Sequence, residues 1–175
     1  MMDEATIRLA LRITARISAL FFIGAFAGGA SHVLWPSSPT RWLARNANRL
    51  IVALGASHSL HLMAVVGLAS VLGQRFIQEI TWVGIILGGL VYVLIYALVV
   101  RALVPAKQLG WLSSQRLQSV ALYVVWFVFA LAFIGGSFKS LWTHLPFALL
   151  ALAGLVVRIL GSRKLRGHSM SVGAG

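Results

Sequence analysis

The chain has 175 residues, of which 59% are hydrophobic and 10% are charged, and its mean hydropathy is +0.91. Uncharged runs of about 20 residues recur along it, and each one is long enough as a helix to cross an apolar bilayer core of about 30 Å. This composition excludes a soluble globular domain and indicates an integral membrane protein. The net charge of +12 comes from basic residues that flank the apolar runs, so anionic lipid, rather than nucleic acid, is the expected counterion.

Five apolar runs predict five transmembrane helices. Pro, Gly, Ser and charged residues separate the runs, and these residue types end helices. Residues 1–12 form a basic N-terminal flank, and the tail at 161–175 is basic, then small and polar, which is typical of disorder. The sequence therefore predicts an all-α bundle over residues 13–160, with spans at about 13–35, 50–73, 80–100, 117–138 and 145–160.

The distribution of Lys and Arg predicts the orientation. The first connection, the third connection and the C-terminal end carry ten basic residues, whereas the N-terminus and the other two connections carry five. Connections rich in Lys and Arg remain in the cytoplasm, so the N-terminus is predicted outside and the C-terminus in the cytoplasm of a bacterial inner membrane. Arg8, Arg12 and Arg16 argue against an outside N-terminus, but they share one helical stripe that would face protein or headgroups.

The few acidic residues exclude several classes of membrane protein. Asp3, Glu4 and Glu79 are the acidic residues of the chain, and none lies within a predicted span. Proton-coupled carriers and carboxylate-based membrane hydrolases use a carboxylate inside the membrane. The chain also lacks cysteine, a HExxH motif and a GxSxG elbow. No self-contained catalytic constellation is visible in the sequence.

Two glycine pairs indicate close helix packing. Gly24 with Gly28, and Gly84 with Gly88, have the GxxxG spacing that lets helices approach one another. The expected role is packing within the bundle, and the alternative is an oligomer face.

Two histidines lie inside the second apolar run, in the stretch "ASHSLHL". Residues three apart on a helix lie on neighbouring faces one turn apart, so His58 and His61 cannot supply both axial ligands of one heme, which approach from opposite sides. Spacing alone leaves three alternatives open: ligation of a heme, a polar contact with a neighbouring helix, or another metal site.

Several short motifs resemble the ferric-reductase-like transmembrane family, in particular the heme-binding membrane subunit of the bacterial methionine sulfoxide reductase system. They are "RITARISALFF", "RWLARNANRLIVALG", "SLHL" and "LGWLSSQRLQSVALYVVW", and together they cover about two thirds of the chain. The resemblance implies one b-type heme with His61 as the axial ligand and His58 as the second choice. Arg12, Arg49 and Arg116 are then candidates to pair with the propionates. It also implies that the family's first helix is missing, which leaves five spans.

The chain departs from this family on the facing span. Gln118 stands where family members have one histidine, and Leu131 stands near the position of a further one. His32 is predicted nearer the cytoplasmic end than His61, while His144 and His168 belong to a connection and the tail. The sixth iron position is therefore expected to be weak, open or supplied by a partner.

Three functions remain open. The first is a heme b-binding membrane electron carrier, which would exchange electrons with a partner protein or a quinol because the chain has no flavin or nicotinamide domain. The second is a cofactor-free accessory or structural subunit of a larger complex, favoured by the missing ligands at Gln118 and Leu131. The third, a small-solute channel or carrier, has only the histidine pair to support it.

Overall fold

A computed structural model describes residues 3–138 and 140–172 of the chain. Within this part every regular element is helical, and five helices are long and apolar enough to cross a membrane. These five are α1 (Glu4–Leu34), α3 (Ala47–Leu72), α5 (Trp82–Leu103), α7 (Gln115–Ser137) and α8 (Leu141–Val172). The connections contain α2 (Ser38–Arg45), α4 (Gln74–Glu79) and α6 (Ala106–Leu109), the last running into a 3₁₀ turn at Gly110–Ser113. The predicted all-α transmembrane bundle is confirmed.

Local chemistry explains where these helices begin and end. The Asp3 carboxylate accepts a hydrogen bond from the backbone N–H of Thr6 at 3.2 Å and caps α1. Ser37 and Thr40 form a reciprocal capping box that begins α2. Gly73 has a φ of 55°, which residues with a Cβ rarely adopt, and α3 ends there. The connections are thus specified by caps and a glycine as well as by loss of hydropathy.

The five long helices pack as a ring in the order α1, α3, α5, α7 and α8, and α8 closes the ring against α1. The core between them contains Phe22, Phe26, Leu54, Ile95 and Val125, all of which are essentially inaccessible. α1 also contacts α2 and α7. Because α1 touches most of the bundle, polar groups on α1 are available to several neighbouring helices.

The Gly24–Gly28 pair packs inside the chain. A Cβ at Gly28 would lie 2.9 Å from Leu43 Cβ and 3.1 Å from the Leu43 carbonyl carbon, and one at Gly24 would lie 3.2 Å from Leu50 Cδ1. Leu43 belongs to α2 and Leu50 to α3, so this face of α1 is covered by the chain itself. It is therefore not free to form the oligomer face that the motif also allowed.

The first and last long helices differ most from their predicted bounds. α1 begins at Glu4 rather than at residue 13, because the basic flank is a continuous part of the helix. α8 continues to Val172, whereas the sequence predicts disorder from residue 161. Ser162 Oγ donates to the Arg158 carbonyl, and Lys164 Nζ donates to the Val33 carbonyl of α1 at 3.0 Å, which ties this extension to the bundle. Residues 173–175 of the predicted disordered tail lie outside the described residues.

Exposed tryptophans mark the two ends of the bundle. Trp82 and Trp142 lie where α5 and α8 begin, and Trp35, Trp42 and Trp111 lie at the opposite end. All five are more than half exposed in the isolated chain. Tryptophan at these levels is typical of membrane–water interfaces, so the two groups indicate where headgroups meet the protein.

Candidate functional site

A cavity of about 900 Å³ opens between α1, α3, α5 and α7 and reaches the start of α8. It lies toward the end of the bundle where α1, α5 and α8 begin. Most of its wall is apolar, and this volume is within the range of about 300–1,000 Å³ common for small-molecule sites. Its ionisable side chains are contributed by four helices and are Arg12, Arg16, His58, His61, Tyr92 and His144. The two predicted histidines therefore line one common space.

His61 is oriented by a threonine of α1. Thr14 Oγ1 donates to the Ala10 carbonyl at 2.8 Å, and the same oxygen lies 3.0 Å from His61 Nδ1. Because the threonine proton is engaged with the carbonyl, His61 Nδ1–H is the donor to Thr14 Oγ1. This assigns the lone pair to Nε2. A hydrogen bond to one ring nitrogen is how proteins commonly orient a histidine whose other nitrogen binds a metal.

His58 is held by a chain of hydroxyl groups. Ser57 Oγ donates to the Leu54 carbonyl at 3.0 Å, so Ser18 Oγ donates to Ser57 Oγ at 2.9 Å. His58 Nδ1–H then donates to Ser18 Oγ over a longer distance of 3.4 Å. Ser18 is on α1, so each histidine of α3 has its own hydroxyl partner on that helix. The polar helix contact that spacing alone allowed is present for both residues.

The surroundings distinguish the two imidazoles. The His58 ring is buried between Tyr92, at 4.5 Å between ring centroids, and Phe129, at 5.8 Å. The His61 ring lies 5.3 Å from that of His58, tilted by 21°, and is only half-buried. The Tyr92 hydroxyl is buried and has no hydrogen-bond partner in the described part of the chain. His61 is thus the more accessible imidazole, and Tyr92 provides an unused polar group beside His58.

The three N-terminal arginines have different neighbours. Arg8 binds Glu4 at 2.8 Å and Glu79 at 2.7 Å, which joins α1 to α4. The hydrogen bond from Arg8 holds the pKa of Glu79 below its ordinary value. Arg16 donates to the Thr143 carbonyl of α8 at 3.2 Å. Arg12 lines the cavity and makes no hydrogen bond to the described residues, so it is the cavity arginine most available to an anionic group.

Two predicted propionate partners do not line this cavity. Arg49 is exposed near the start of α3, where its guanidinium donates to Asn46 Oδ1 at 3.1 Å. Arg116 is exposed at the start of α7. At about 1.5 Å per residue, Arg49 lies roughly 18 Å before His61 along α3. The structure therefore brings Arg12 to the histidines and leaves Arg49 and Arg116 at the other end of the bundle.

Gln118 and Leu131, which stand where family members have histidines, lie far apart in the structure. Leu131 lines the histidine cavity, whereas Gln118 lines a second cavity with Arg158 at the opposite end. α3 and α7 cross the bundle in the same direction, and the Phe129 ring of α7 lies 5.8 Å from that of His58, so the two histidines lie near Phe129 rather than near the start of α7. Gln118 lies roughly 16 Å before Phe129 along that helix. Gln118 therefore does not face His61, and Leu131 is the one of these two positions that lies beside the histidines.

Four residues of the site were missed by the sequence reasoning: Thr14, Arg16, Tyr92 and His144. The sequence places Arg16 on the same helical stripe as Arg12, because residues four apart share a helix face, but Arg16 was not assigned to the site. His144, assigned to a connection, lies in the first turn of α8 with its Nδ1 3.1 Å from the Ser140 carbonyl. Its position near Phe133 of α7 depends on tertiary packing, which spacing does not show.

The donor set of the cavity fits a heme. Within the described residues no three His, Asp or Glu side chains form a group that could hold a metal ion. A heme does not need such a group, because the porphyrin supplies four nitrogen ligands and one imidazole completes a five-coordinate iron. His61 could ligate iron through Nε2, Arg12 could pair with a propionate, and the rest of the wall is largely apolar.

Comparison with known proteins identifies no relative of this chain: no family model, curated protein or solved structure matches it. The ferric-reductase-like resemblance stays a prediction carried by the short motifs around His61 and Gln118.

Proposed function

We propose that this multi-pass membrane protein is a heme b-binding electron-transfer protein of the ferric-reductase-like type. One observation carries the proposal: His61 is fixed through Nδ1 by Thr14 while its other ring nitrogen carries the lone pair, in a cavity that also contains Arg12. A merely structural histidine would not require a space of about 900 Å³ beside it. The bacterial inner membrane, with the N-terminus outside, is the proposed location.

Each residue of the cavity has a distinct task in this proposal. His61 binds the iron, and Thr14 holds its ring in the ligating tautomer. Arg12 pairs with a propionate, and Arg16 adds positive charge from the next turn of α1. His58 is the polar contact between α3 and α1 rather than a ligand, since its ring is buried against Tyr92. When bound, the heme supplies a one-electron couple within the bilayer.

Electrons have to come from and go to other molecules. A quinol dissolved in the bilayer or a redox partner protein is the proposed donor or acceptor. The α7 wall of the cavity contributes Val128, Phe129 and Leu131, none of which ligates iron. The expected iron is therefore at least partly five-coordinate and high-spin.

A cofactor-free accessory subunit is the second candidate, and a specific observation favours it. Both histidines already have hydroxyl partners within the chain, and Leu131 leaves the facing helix without a ligand. These contacts suffice to stabilise a bundle that binds nothing.

An absorption spectrum separates these candidates. The protein is expressed with ample heme, purified in mild detergent and measured before and after addition of dithionite. The electron carrier shows a Soret band that shifts on reduction, with a high-spin component in the oxidised form. Colourless protein contradicts the proposal and favours the accessory subunit. A purely low-spin spectrum indicates a second strong ligand, and His144 is the cavity residue to replace first.

A further inference from the structure

Arg158 has no acidic partner, although it lies within the apolar part of α8. The chain contains only Asp3, Glu4 and Glu79 as acidic side chains, and all three are at the other end of the bundle. Glu4 and Glu79 are already bound to Arg8 there. A positive charge in a membrane protein is expensive to bury unless something pairs with it, and any anion that pairs with Arg158 has to come from outside the described residues.

The contacts of Arg158 fix its guanidinium without using all its donors. The group lies over the ring of Phe26, at 4.5 Å from the centroid, and over that of Tyr123, at 5.2 Å. Its Nη1 donates to the Phe26 carbonyl of α1. A guanidinium has five N–H donors, all of which lie in its plane. The two aromatic rings contact the face of the guanidinium, so they use none of these donors. Arg158 is therefore held rigidly with an edge left to bind something else.

This edge borders the second cavity, which has a volume of about 250 Å³ and lies between α1, α7 and the α2–α3 corner. Gln115, Gln118 and Ser119, in the first turns of α7, add further polar groups to its wall. Their side chains make no hydrogen bond to other described residues. Ala44 of α2 also lines the cavity, two residues after the exposed Trp42. The cavity therefore lies close to the level at which lipid headgroups meet the protein.

We propose that this cavity binds the phosphate of an anionic phospholipid. The guanidinium fork matches two phosphate oxygens, and the Gln118 and Ser119 side chains donate to the remaining oxygen atoms. The lipid's acyl chains lie along the outside of the bundle. A net anionic lipid is preferred over a zwitterionic one, because this end of the protein carries ten of the 15 basic residues and repels a choline group. The proposal is independent of the heme and concerns the opposite end of the molecule.

Native mass spectrometry tests the proposal directly. Purified protein is titrated with phosphatidylglycerol or with phosphatidylcholine, and the fraction with one bound lipid is measured. Wild-type protein retains phosphatidylglycerol in preference to phosphatidylcholine. Arg158→Gln weakens phosphatidylglycerol binding about tenfold, the effect of losing a charge-assisted bidentate contact. The control Arg163→Gln, an exposed arginine on the same helix that does not line the cavity, changes binding less than about twofold.

A second variant tests the same site if Arg158→Gln does not fold. The double substitution Gln118→Leu and Ser119→Ala leaves the Arg158–Phe26 contacts intact and weakens phosphatidylglycerol binding about threefold, as expected for two neutral hydrogen bonds. Equal binding by wild type and this double variant, or by Arg158→Gln and Arg163→Gln, overturns the proposal. Inorganic phosphate is added in place of lipid as a further arm. A rise in unfolding temperature that Arg158→Gln abolishes would assign the cavity to a soluble phosphate and overturn the lipid.

Discussion

His58 and His61 differ in what surrounds each imidazole, although both are tied to α1 by a hydroxyl group. His58 is packed against Tyr92 and Phe129, whereas His61 is half-buried beside the cavity. The family motif had favoured His61 because it coincides with "SLHL". The geometry favours the same residue for an independent reason, which is access.

Replacing Thr14 tests whether the orientation of His61 matters. Thr14→Val keeps the shape of the side chain but removes the oxygen that accepts from His61 Nδ1. Loss of a hydrogen bond that orients a metal ligand lowers affinity for the bound metal group about 10–100-fold, so heme titration of the variant should give a correspondingly larger dissociation constant. Thr14→Ser retains the hydroxyl and should bind like wild type. Equal affinity in Thr14→Val and wild type would mean that the hydrogen bond is incidental.

The Arg8–Glu79 ion pair makes stability depend on pH in a defined direction. Arg8 lowers the pKa of Glu79 in the folded protein, so the pair stabilises the fold at a pH above the ordinary carboxyl value. That stabilisation is lost as the pH falls through the lowered folded-state value. Wild type should therefore unfold at a higher temperature than Glu79→Gln at pH 7, and the gap should close below a pH of about 4.5.

The size of this effect is small because both partners are partly exposed to solvent. Arg75 provides the control, since its guanidinium is 3.7 Å from Glu79 and two thirds exposed. Arg75→Gln should change the unfolding temperature less than Glu79→Gln does. A gap that widens on acidification would contradict the assignment of the pair.

At the scale of the helices, α1 and α8 approach closely at a glycine near the end of the apolar span. A Cβ at Gly161 would lie 2.7 Å from Ala30 Cβ and 2.9 Å from Ala30 Cα. The backbone of α1 cannot move aside as a flexible side chain can. This contact, together with the Lys164–Val33 hydrogen bond, explains why α8 continues past residue 160.

Gly161→Ala should accordingly destabilise the protein by about 1–3 kcal/mol, the usual cost of overpacking a tight contact. The matched control is Gly135→Ala in α7, where a Cβ would meet nothing within 4 Å. There the substitution should be neutral or stabilise the helix by up to about 1 kcal/mol. Chemical unfolding in detergent measures both. Similar stability changes in the two variants would argue against a close α1–α8 contact.

Hydropathy predicted the helices well but not the ends of α1 and α8. A run of apolar residues indicates the part of a helix that crosses the lipid. It does not indicate whether the helix continues into charged residues beyond the lipid. Arg8 extends α1 because Glu4 and Glu79 pair with it, and Glu79 is far away in sequence. The capping Asp3 was a readable signal for a helix beginning at Glu4.

The candidate site was predictable only as far as single helices determine it. The two histidines and Arg12 could be selected from their own spans. The partner of His61 on α1, and the level of α7 that faces it, depend on how helices slide past one another, which spacing within one helix does not encode. Which of the two departures from the family pattern, Gln118 or Leu131, lies beside the histidines could therefore not be read from the sequence.

At the scale of the whole molecule, the two ends of the ring differ in chemistry. One end has the histidine cavity and the acidic side chains, and the other has the Arg158 cavity and most of the basic residues. This asymmetry is the basis of the proposed orientation, because Lys and Arg collect on the cytoplasmic side. The histidine cavity would then open toward the outer half of the bilayer.

Single cysteines test this orientation against a clean background, because the chain has none of its own. Ser38 and Ser114 are exposed at the basic end, and Ser140 is exposed at the other. In intact cells, Ser38→Cys and Ser114→Cys should resist an impermeant thiol reagent, while Ser140→Cys should react readily. All three should react once the membrane is permeabilised. Labelling of the first two in intact cells, with protection of the third, would reverse the orientation.

Comparing the heme content of His61→Ala and His58→Ala decides whether His61 binds a heme iron in this cavity. Both variants remove an imidazole from the same helix and break a hydrogen bond to α1, so they are matched for structural damage. The Soret absorbance per protein should be lost in His61→Ala and largely kept in His58→Ala. Equal heme content in the two variants, or loss in His58→Ala alone, would mean that His61 is not the heme ligand.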